Sequence, residues 1–122
     1  MSACPFCPEN WPNLAMVERM GVVDRPVWMI LTPLNPVTLG HVLVISSRHT
    51  EDAAADSALA GDLCAVAANY VSRHRLQANI ITSVGPAATQ SVRHTHVHVV
   101  PRRDGDGLLL PWTLQHATED QQ

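Results

Sequence analysis

Three histidines at alternate positions, His94, His96 and His98, are the residues of this chain best suited to do chemistry. If they lie on one β-strand, their side chains point to the same side, with roughly 6.6 Å between positions i and i+2. An imidazole can act as a nucleophile, an acid or a base near neutral pH, and it also binds metals. The row alone therefore allows three interpretations: a catalytic site, a metal site, or surface histidines without a function.

A second segment supplies further reactive groups. A turn around Pro36 and Gly40 delivers a fourth histidine, His41, to the start of an apolar strand, and the same segment ends at His49. Directly before the histidine row, an amide and a hydroxyl come from Gln90 and Ser91. Polar groups gathered around two apolar strands argue against surface decoration and favour a functional site.

Together these segments resemble the histidine triad (HIT) family of nucleotide hydrolases and transferases. The matching positions are Pro36, Gly40 to Ile45, His49, Gln90 to Val92, the three alternating histidines, and Pro101 with Arg102. A single H-x-H pair would be a weak signal, whereas two such blocks in this order, about 40 residues apart, are a specific one. The resemblance extends from Cys4 to Trp112.

The pattern of apolar residues predicts an α+β fold, and the resemblance implies that this fold is HIT-like. A helix is expected from about Asp56 to His74, because apolar side chains recur on one face and either Asp56 or Ser57 can cap it. Strands are expected at 15–20, 22–25, 27–32, 42–46, 79–84 and 92–101, the first two pairing across Gly21. Residues 1–122 would form a single domain with an antiparallel sheet of about five strands and one long helix. Within it, residues 1–12 would form a Cys-containing loop and 113–122 a frayed tail.

Composition and charge exclude several function classes. The net charge of −3 gives no electrostatic case for binding nucleic acid or an anionic membrane. The start of the chain lacks the pattern of a signal peptide, and the uncharged stretch from Pro26 to Ser47 is broken by Pro33, Pro36 and Gly40, which argues against a membrane span. We therefore expect the chain in the cytoplasm, with its three cysteines as thiols or metal ligands rather than a disulfide framework.

The resemblance implies a role for each residue of the catalytic set. In this family the middle histidine of the row attacks the α-phosphorus and forms a nucleotidyl-histidine intermediate, which assigns His96 as the nucleophile. His98 would contact phosphate oxygens and stabilise the transition state, and His41 would join the phosphate-binding set. Four further positions would contact the nucleotide: Gln90 and Ser91 as hydrogen-bond donors to phosphate or the leaving group, and Leu31 and Leu34 as the lining of the base pocket.

Cys4 and Cys7 form a C-x-x-C pair with the spacing of zinc ligands, but two cysteines cannot complete a tetrahedral site. Many bacterial HIT proteins that begin with such a pair bind zinc with it, and their other two ligands match His49 and His94. The resemblance therefore implies a closed, structural zinc site beside the active site, for which His94 must leave strict strand alternation. The alternative is a flexible terminus with free thiols.

Two positions bear on the reaction. Where many HIT proteins carry an acidic residue or Asn that binds the ribose hydroxyls, this chain has Pro33, which cannot make that contact. The uridylyltransferase branch has Gln at the position of His98, so His98 favours the hydrolase branch. The predicted function is hydrolysis of a nucleotide at its α-phosphate, which releases a nucleoside monophosphate. The leaving group is left open among an amine, a second nucleotide and an acyl phosphate.

Two alternative functions remain open. A metallohydrolase would hold a catalytic zinc ion on His94, His96 and His98, and it would need an open coordination position. A nucleotide-binding or scaffold protein would keep the fold with little turnover, and Pro33 lends weight to this second alternative.

An apolar segment after the last predicted strand indicates how the chain assembles. Leu108 to Leu110 and Trp112 are hard to bury in the limited core of a 122-residue domain. A second subunit could cover them, and the resemblance implies a homodimer whose two-fold interface extends the sheet across both chains. The alternative is a segment that folds back on the helix of its own chain.

Overall fold

The computed structural model describes residues 3–21 and 25–112. Its regular elements are, in chain order, β1 (Ala15–Met20), β2 (Trp28–Thr32), β3 (Val42–Ser46), α1 (Ser57–Arg73), β4 (Ala78–Ile81) and β5 (His96–Pro101), with short 3-10 helices at Pro8–Asn13 and Pro86–Ala88. The strands form a five-stranded antiparallel sheet in the spatial order β1-β2-β3-β5-β4, which confirms the predicted α+β fold. Neither α1 nor the short helices of the described ranges is long and apolar enough to cross a membrane.

The two faces of the sheet are covered by different parts of the chain, because side chains alternate along each strand. On one face α1 packs its apolar stripe, and the buried side chains there are Ile30, Val42, Val44, Leu63, Ala67, Tyr70, Val97 and Val99. On the other face the N-terminal loop joins a second buried cluster of Phe6, Trp11, Met29, Leu31, Leu43 and Ile45. His96 and His98 pair with Ile45 and Leu43 across the ladder, so they share this second face.

Helix α1 begins where the sequence places a capping residue. The Asp56 carboxylate accepts a hydrogen bond from the backbone N–H of Leu59 at 3.0 Å. Arg48 forms an ion pair with the same carboxylate. Of the two capping residues that the sequence allows, Asp56 is therefore the one that caps the helix.

Removal of this cap should destabilise the fold measurably. We expect Asp56→Ala to lower the free energy of unfolding by about 1 kcal/mol, because the Leu59 N–H loses its acceptor. The ion pair with the exposed Arg48 adds little to this loss. Urea denaturation measures the change, and Asp62→Ala at an exposed position of the same helix is the control. Equal stability of the two variants would contradict the capping role.

Several boundaries differ from the prediction. β5 begins at His96 rather than at residue 92, and Thr95 donates its N–H to the Thr50 carbonyl at 2.7 Å. β4 ends at Ile81 rather than at residue 84, where the Thr82 hydroxyl donates to the His96 carbonyl at 2.9 Å. β1 pairs with β2. The strand expected at 22–25 and the tail expected to fray at 113–122 fall largely or wholly outside the described residues.

Candidate active site and metal centre

The histidines and cysteines that the sequence singles out lie in two adjacent clusters. One, the metal cluster, contains Cys4, Cys7, His49 and His94. The other, the triad, contains His41, His96 and His98. The histidine row is divided between them because β5 begins at His96, so that His94 lies before the strand and is not held to its alternation.

The His96 side chain has the geometry of a nucleophile. Its Nδ1 lies 2.8 Å from the backbone carbonyl oxygen of His94. A carbonyl oxygen only accepts, so Nδ1 carries the ring proton and Nε2 keeps its lone pair. The residue is 8% exposed, and this burial lowers the pKa of His96, which keeps the imidazole neutral. A neutral ring with a fixed tautomer is what attack on an electrophile requires.

A chain of hydrogen bonds fixes the protons of the other two triad histidines. The backbone N–H of Val37 donates to Nδ1 of His41 at 3.1 Å, so His41 carries its proton on Nε2. That Nε2 donates to Nδ1 of His98 at 3.0 Å, which leaves the proton of His98 on its own Nε2. The ring centroids of His98 and His96 are 5.2 Å apart. His98 can therefore donate a hydrogen bond to an anionic oxygen close to His96.

Burial also keeps His41 and His98 neutral. Desolvation lowers the pKa of His41, and it lowers that of His98 to about 4, with smaller contributions from the nearby His96 and His41. The ordinary pKa of histidine is 6.5, and that of His98 in the folded chain is about 4. Between pH 6.5 and about pH 4 the unfolded chain therefore binds more protons than the folded chain. The stability that the neutral rings contribute is therefore complete above this window and is lost as the pH falls through it.

This difference in pKa predicts a pH dependence of stability. We expect the free energy of unfolding to decrease as the pH falls from about 7 to about 4.5, and to decrease less steeply in His98→Gln, because glutamine does not titrate. Urea denaturation at a series of pH values measures both slopes. Acid release of a metal would affect the two proteins equally, so the difference between the slopes isolates His98. Identical slopes would contradict the assignment.

The four donor atoms of the metal cluster fit a tetrahedral zinc ion. Nδ1 of His49 lies 3.2 Å from Nδ1 of His94. The sulfur–nitrogen distances are 3.4 Å for Cys4 and His94, 3.4 Å for Cys7 and His49, and 3.7 Å for Cys7 and His94. Tetrahedral coordination at the usual zinc bond lengths places two nitrogens roughly 3.3 Å apart and a sulfur and a nitrogen roughly 3.5 Å apart. Two thiolates and two imidazoles are also a donor set that zinc favours.

His94 presents the correct nitrogen to this cluster. Its Nε2 lies 2.9 Å from the Ser46 carbonyl oxygen, so Nε2 carries the proton and the lone pair of Nδ1 faces the two cysteines. Such a second contact orients a metal-binding histidine. His94 is completely buried, which lowers its pKa to about 4 and keeps it in the neutral form that a metal binds.

A cavity of about 940 Å³ opens beside the triad. Its lining includes Leu31, Pro33, Leu34, His41, Ser91 and His98, together with Pro5 and Phe6 of the N-terminal loop. Leu31 is buried in its wall, whereas Leu34 is 99% exposed. Among the described residues that line the cavity, none has a carboxylate. The volume lies in the range of small-molecule sites, and the wall is mostly apolar with a few polar groups.

The HIT domain family model matches residues 18–105. This chain belongs to the HIT family. An uncharacterised HIT-like protein of Mycobacterium tuberculosis is 36% identical to this HIT protein over 115 residues, which cover 86% of this chain and 75% of the relative. The structure of a Zn-bound histidine triad family protein from Mycobacterium smegmatis matches with a TM-score of 0.68 at 32% identity, covering 88% of this chain and 80% of that one. A hypothetical histidine triad nucleotide-binding protein from Sulfolobus tokodaii matches with a TM-score of 0.63 at 27% identity, covering 84% and 70%.

The geometry of this HIT protein does not favour a catalytic zinc ion on the histidine row. Nδ1 of His94 faces the cysteines, Nδ1 of His96 bonds to a backbone carbonyl, and Nδ1 of His98 accepts from His41. Within the described residues, the group with metal-ligand geometry is the metal cluster, which excludes His96 and His98. The three histidines of the row are therefore divided between two clusters rather than gathered around one ion.

The two polar residues before the histidine row take different positions in the HIT protein. Ser91 is exposed and lines the cavity. Gln90 is buried, and its Nε2 donates to the carbonyls of Glu51 at 2.7 Å and Val92 at 3.0 Å, while its Oε1 accepts from the Gly85 N–H at 2.9 Å. Both amide hydrogens are used, so Gln90 has no donor left for a phosphate in this structure. It holds the loop that carries Ser91.

Sequence reasoning missed Phe6, whose buried ring packs against the rings of His94 and His96. The signal that could have found it is its position between Cys4 and Cys7. A residue between two metal ligands must lie close to the metal site and to the groups next to that site. The Val37 N–H and the His94 carbonyl were missed as well. Backbone groups carry no residue-type signal, so nothing in the sequence marks them.

Proposed function

We propose that this HIT protein, folded as a single domain, hydrolyses nucleotides at the α-phosphate and releases a nucleoside monophosphate. The observation that carries this proposal is the His96 ring, whose Nε2 keeps its lone pair, with its centroid 5.2 Å from that of His98, which lines the cavity. Displacement at phosphorus depends mainly on positioning and charge stabilisation, which such a pair supplies. The neighbour from Sulfolobus tokodaii, described as a nucleotide-binding protein, supports a nucleotide as the ligand.

The reaction would proceed in two displacements. Nε2 of His96 attacks the α-phosphorus, the bond from phosphorus to the leaving group breaks, and the bonding electrons depart with that group, which takes up a proton from solvent if it is an amine. The ring becomes cationic while its Nδ1–H still donates to the His94 carbonyl. Water then attacks phosphorus and loses a proton, and the electrons of the P–Nε2 bond return to the ring. An amine, a second nucleotide or an acyl phosphate would serve as the leaving group.

The remaining site residues would hold the substrate. The Nε2–H of His98 would donate to a non-bridging phosphate oxygen, and His41 would maintain the tautomer that makes this donation possible. Ser91 lines the cavity, and its hydroxyl would donate to the phosphate or the leaving group. Leu31 and Leu34 would contact the base.

We also propose that Cys4, Cys7, His49 and His94 hold a structural zinc ion. Support comes from the distances within this cluster and from the Zn-bound neighbour from Mycobacterium smegmatis. With four protein ligands the ion has no open position for substrate, and it acts as a cross-link between the N-terminal loop and the sheet. Metal-binding thiolates are typical of a reducing compartment, and we assign the protein to the cytoplasm.

A nucleotide-binding protein with little turnover is the second candidate. Pro33 lines the cavity, and the described residues around it offer no carboxylate to chelate the two ribose hydroxyls. Weaker placement of the sugar would lower the effective concentration of the α-phosphate at His96, and with it the rate. The two candidates differ in turnover rather than in the ligand that they bind.

Product release from two substrates distinguishes these candidates. The protein would be incubated with adenosine phosphoramidate and with a diadenosine polyphosphate, and AMP would be measured by chromatography against a His96→Asn control. AMP formation that depends on His96 supports the proposed hydrolysis. Calorimetric binding of AMP without AMP formation would overturn hydrolysis and support the binding function. If the protein neither binds AMP nor forms it, both candidate functions are overturned.

The same chain is expected to form a homodimer. Leu109 and Trp112 are 56% and 76% exposed in the single chain, and the edge strand β4 exposes Ile80 and Ile81. An edge strand with apolar side chains is a favoured site for pairing of two sheets. Light scattering at micromolar concentration should give twice the 13.3 kDa of one chain, and Trp112→Ala should weaken association. Val17→Ala on the opposite edge strand is the control, and a 13.3 kDa species in the unmodified protein would contradict the dimer.

A further inference from the structure

Phe6 connects the two clusters and the cavity through one aromatic ring. It is 8% exposed. Its ring centroid lies 5.3 Å from that of His96 at an interplanar angle of 75°, and 6.1 Å from that of His94 at 90°. Such edge-to-face contacts are favourable arrangements of aromatic rings. Phe6 also lines the cavity, so it contacts a metal ligand, the nucleophile and the substrate space at once.

The position of Phe6 depends on the residues that flank it. Cys4 and Cys7 each place a sulfur 3.4 Å from an imidazole of the metal cluster. The backbone of the loop is held further by Asn10, which donates to the Cys4 carbonyl at 2.7 Å, and by Trp11, which donates to the Phe6 carbonyl at 2.8 Å. A metal bound by both sulfurs would hold the loop from both sides of Phe6. Backbone hydrogen bonds from the Cys7 N–H to the Cys4 carbonyl, at 3.3 Å, and from the Asn10 N–H to the Cys7 carbonyl, at 2.9 Å, also hold this loop, and the metal would fix the two cysteine side chains in addition.

The His96 ring needs this lateral support. Within residues 3–21 and 25–112, the hydrogen bond of this ring joins Nδ1 to the His94 carbonyl, which fixes the tautomer but holds the ring at one atom only. The rings of His98, with centroids 5.2 Å apart at 61°, and of Phe6, at 5.3 Å and 75°, both pack against it. Loss of the Phe6 contact would let Nε2 move away from the line of attack, and misplacement by about 1 Å can cost about a hundredfold in rate.

We propose that Phe6 is a positioning residue that couples metal binding to catalysis: it holds the His96 imidazole in its attacking orientation while Cys4 and Cys7 are bound to a metal. The metal then affects the reaction only through the placement of this ring and takes no part in the chemistry. This inference rests on the proposed function and on the proposed zinc site, and its test separates it from both.

The experiment compares unmodified protein and Phe6→Ala, each loaded with zinc and after chelation. Met29→Ala is the matched control, because Met29 is buried in the same apolar cluster and truncation there destabilises the core to a similar degree. Phe6→Leu, which keeps most of the apolar volume, replaces Phe6→Ala if that variant does not fold. The measurements are kcat and KM for AMP release, and NMR spectra of protein with ¹⁵N-labelled histidine, which report the tautomer and order of the His96 ring.

We expect kcat of Phe6→Ala to fall by about tenfold to a hundredfold with a smaller change in KM, while Met29→Ala stays close to the unmodified protein. Chelation should lower kcat of the unmodified protein by a similar factor and have little further effect on Phe6→Ala. The reason is that both changes remove the same contact, that between Phe6 and His96. The single Nδ1–H tautomer signal of His96 should broaden in Phe6→Ala and in the chelated protein.

Two results would overturn this coupling. One is a His96 signal and a kcat in Phe6→Ala that match those of Met29→Ala. The other is an equal fold-decrease of kcat on chelation in the unmodified protein and in Phe6→Ala, which would show that the two effects are independent. If the unmodified protein hydrolyses no nucleotide, the proposed function fails, and the NMR comparison still decides whether the metal and Phe6 hold His96.

Discussion

Replacement of His96 by asparagine should abolish turnover while the fold and nucleotide binding persist. Asparagine keeps a polar group on β5 but has no basic nitrogen, so no covalent intermediate can form. Loss of a catalytic nucleophile typically costs on the order of 10⁴-fold or more in kcat. The measurement is AMP release from adenosine phosphoramidate, accompanied by circular dichroism and by calorimetric binding of AMP. KM and AMP affinity should change far less than kcat.

His74→Asn is the matched control for this substitution. His74 lies at the end of α1, where it contacts Tyr70 and Glu18 and is remote from the triad in sequence and contacts. The same chemical change there should leave kcat within about twofold, because the residue contacts no part of the site. A His96→Asn protein that stays within tenfold of the unmodified rate would show that the nucleophile is assigned wrongly.

Removal of the metal should cause the largest loss of stability. We expect about one zinc ion per chain, and a fall in the melting temperature of about 10 °C or more on chelation. The reason is that a metal bound a thousandfold above its Kd contributes about 4 kcal/mol to the free energy of unfolding. Elemental analysis gives the zinc content, and thermal unfolding with and without chelator gives the shift.

Cysteine variants test the same site independently. Cys7→Ser should lose zinc and reproduce the effect of chelation. Cys64→Ala, which removes a thiol on α1 that packs against the opposite face of the sheet, should keep its zinc. Purified protein without zinc, in which Cys4 and Cys7 are freely alkylated, would contradict the metal site.

The elements that local sequence determines were predicted well. β3 lies at residues 42–46 as expected, because a short apolar run bounded by Gly40 and polar residues has few other conformations. Helix α1 begins one residue after the predicted cap, since Asp56 is the residue whose side chain can accept the first free N–H. The assignment of His41, His96 and His98 to one catalytic set remains a proposal, and the structure brings the three rings together.

The features that long-range contacts determine were predicted less well. The alternation of His94 with His96 predicts one strand, and the departure of His94 from it was expected from the family resemblance rather than from the pattern. His94 lies before β5, where its Nδ1 faces sulfurs about ninety residues away in the chain. Gln90 was expected to donate to phosphate. Its orientation depends on a turn in which Gly85 and Thr89 have positive φ values of 90° and 70°, and residue types do not reveal which way an amide points from such a turn. Phe6 acquires its contacts only through the folded N-terminal loop.

The most direct test of the proposed mechanism is capture of the covalent intermediate. Active protein would be mixed with adenosine phosphoramidate, quenched in alkali during the first turnovers, and analysed by mass spectrometry of intact protein and of peptides. Alkali is needed because a phosphorus–nitrogen bond to histidine is labile in acid. We expect an adenylyl group on His96, absent from His96→Asn and from protein quenched after the substrate is exhausted. An adenylyl group on His98 or His41, or full turnover without any adduct at His96, would contradict the proposed mechanism.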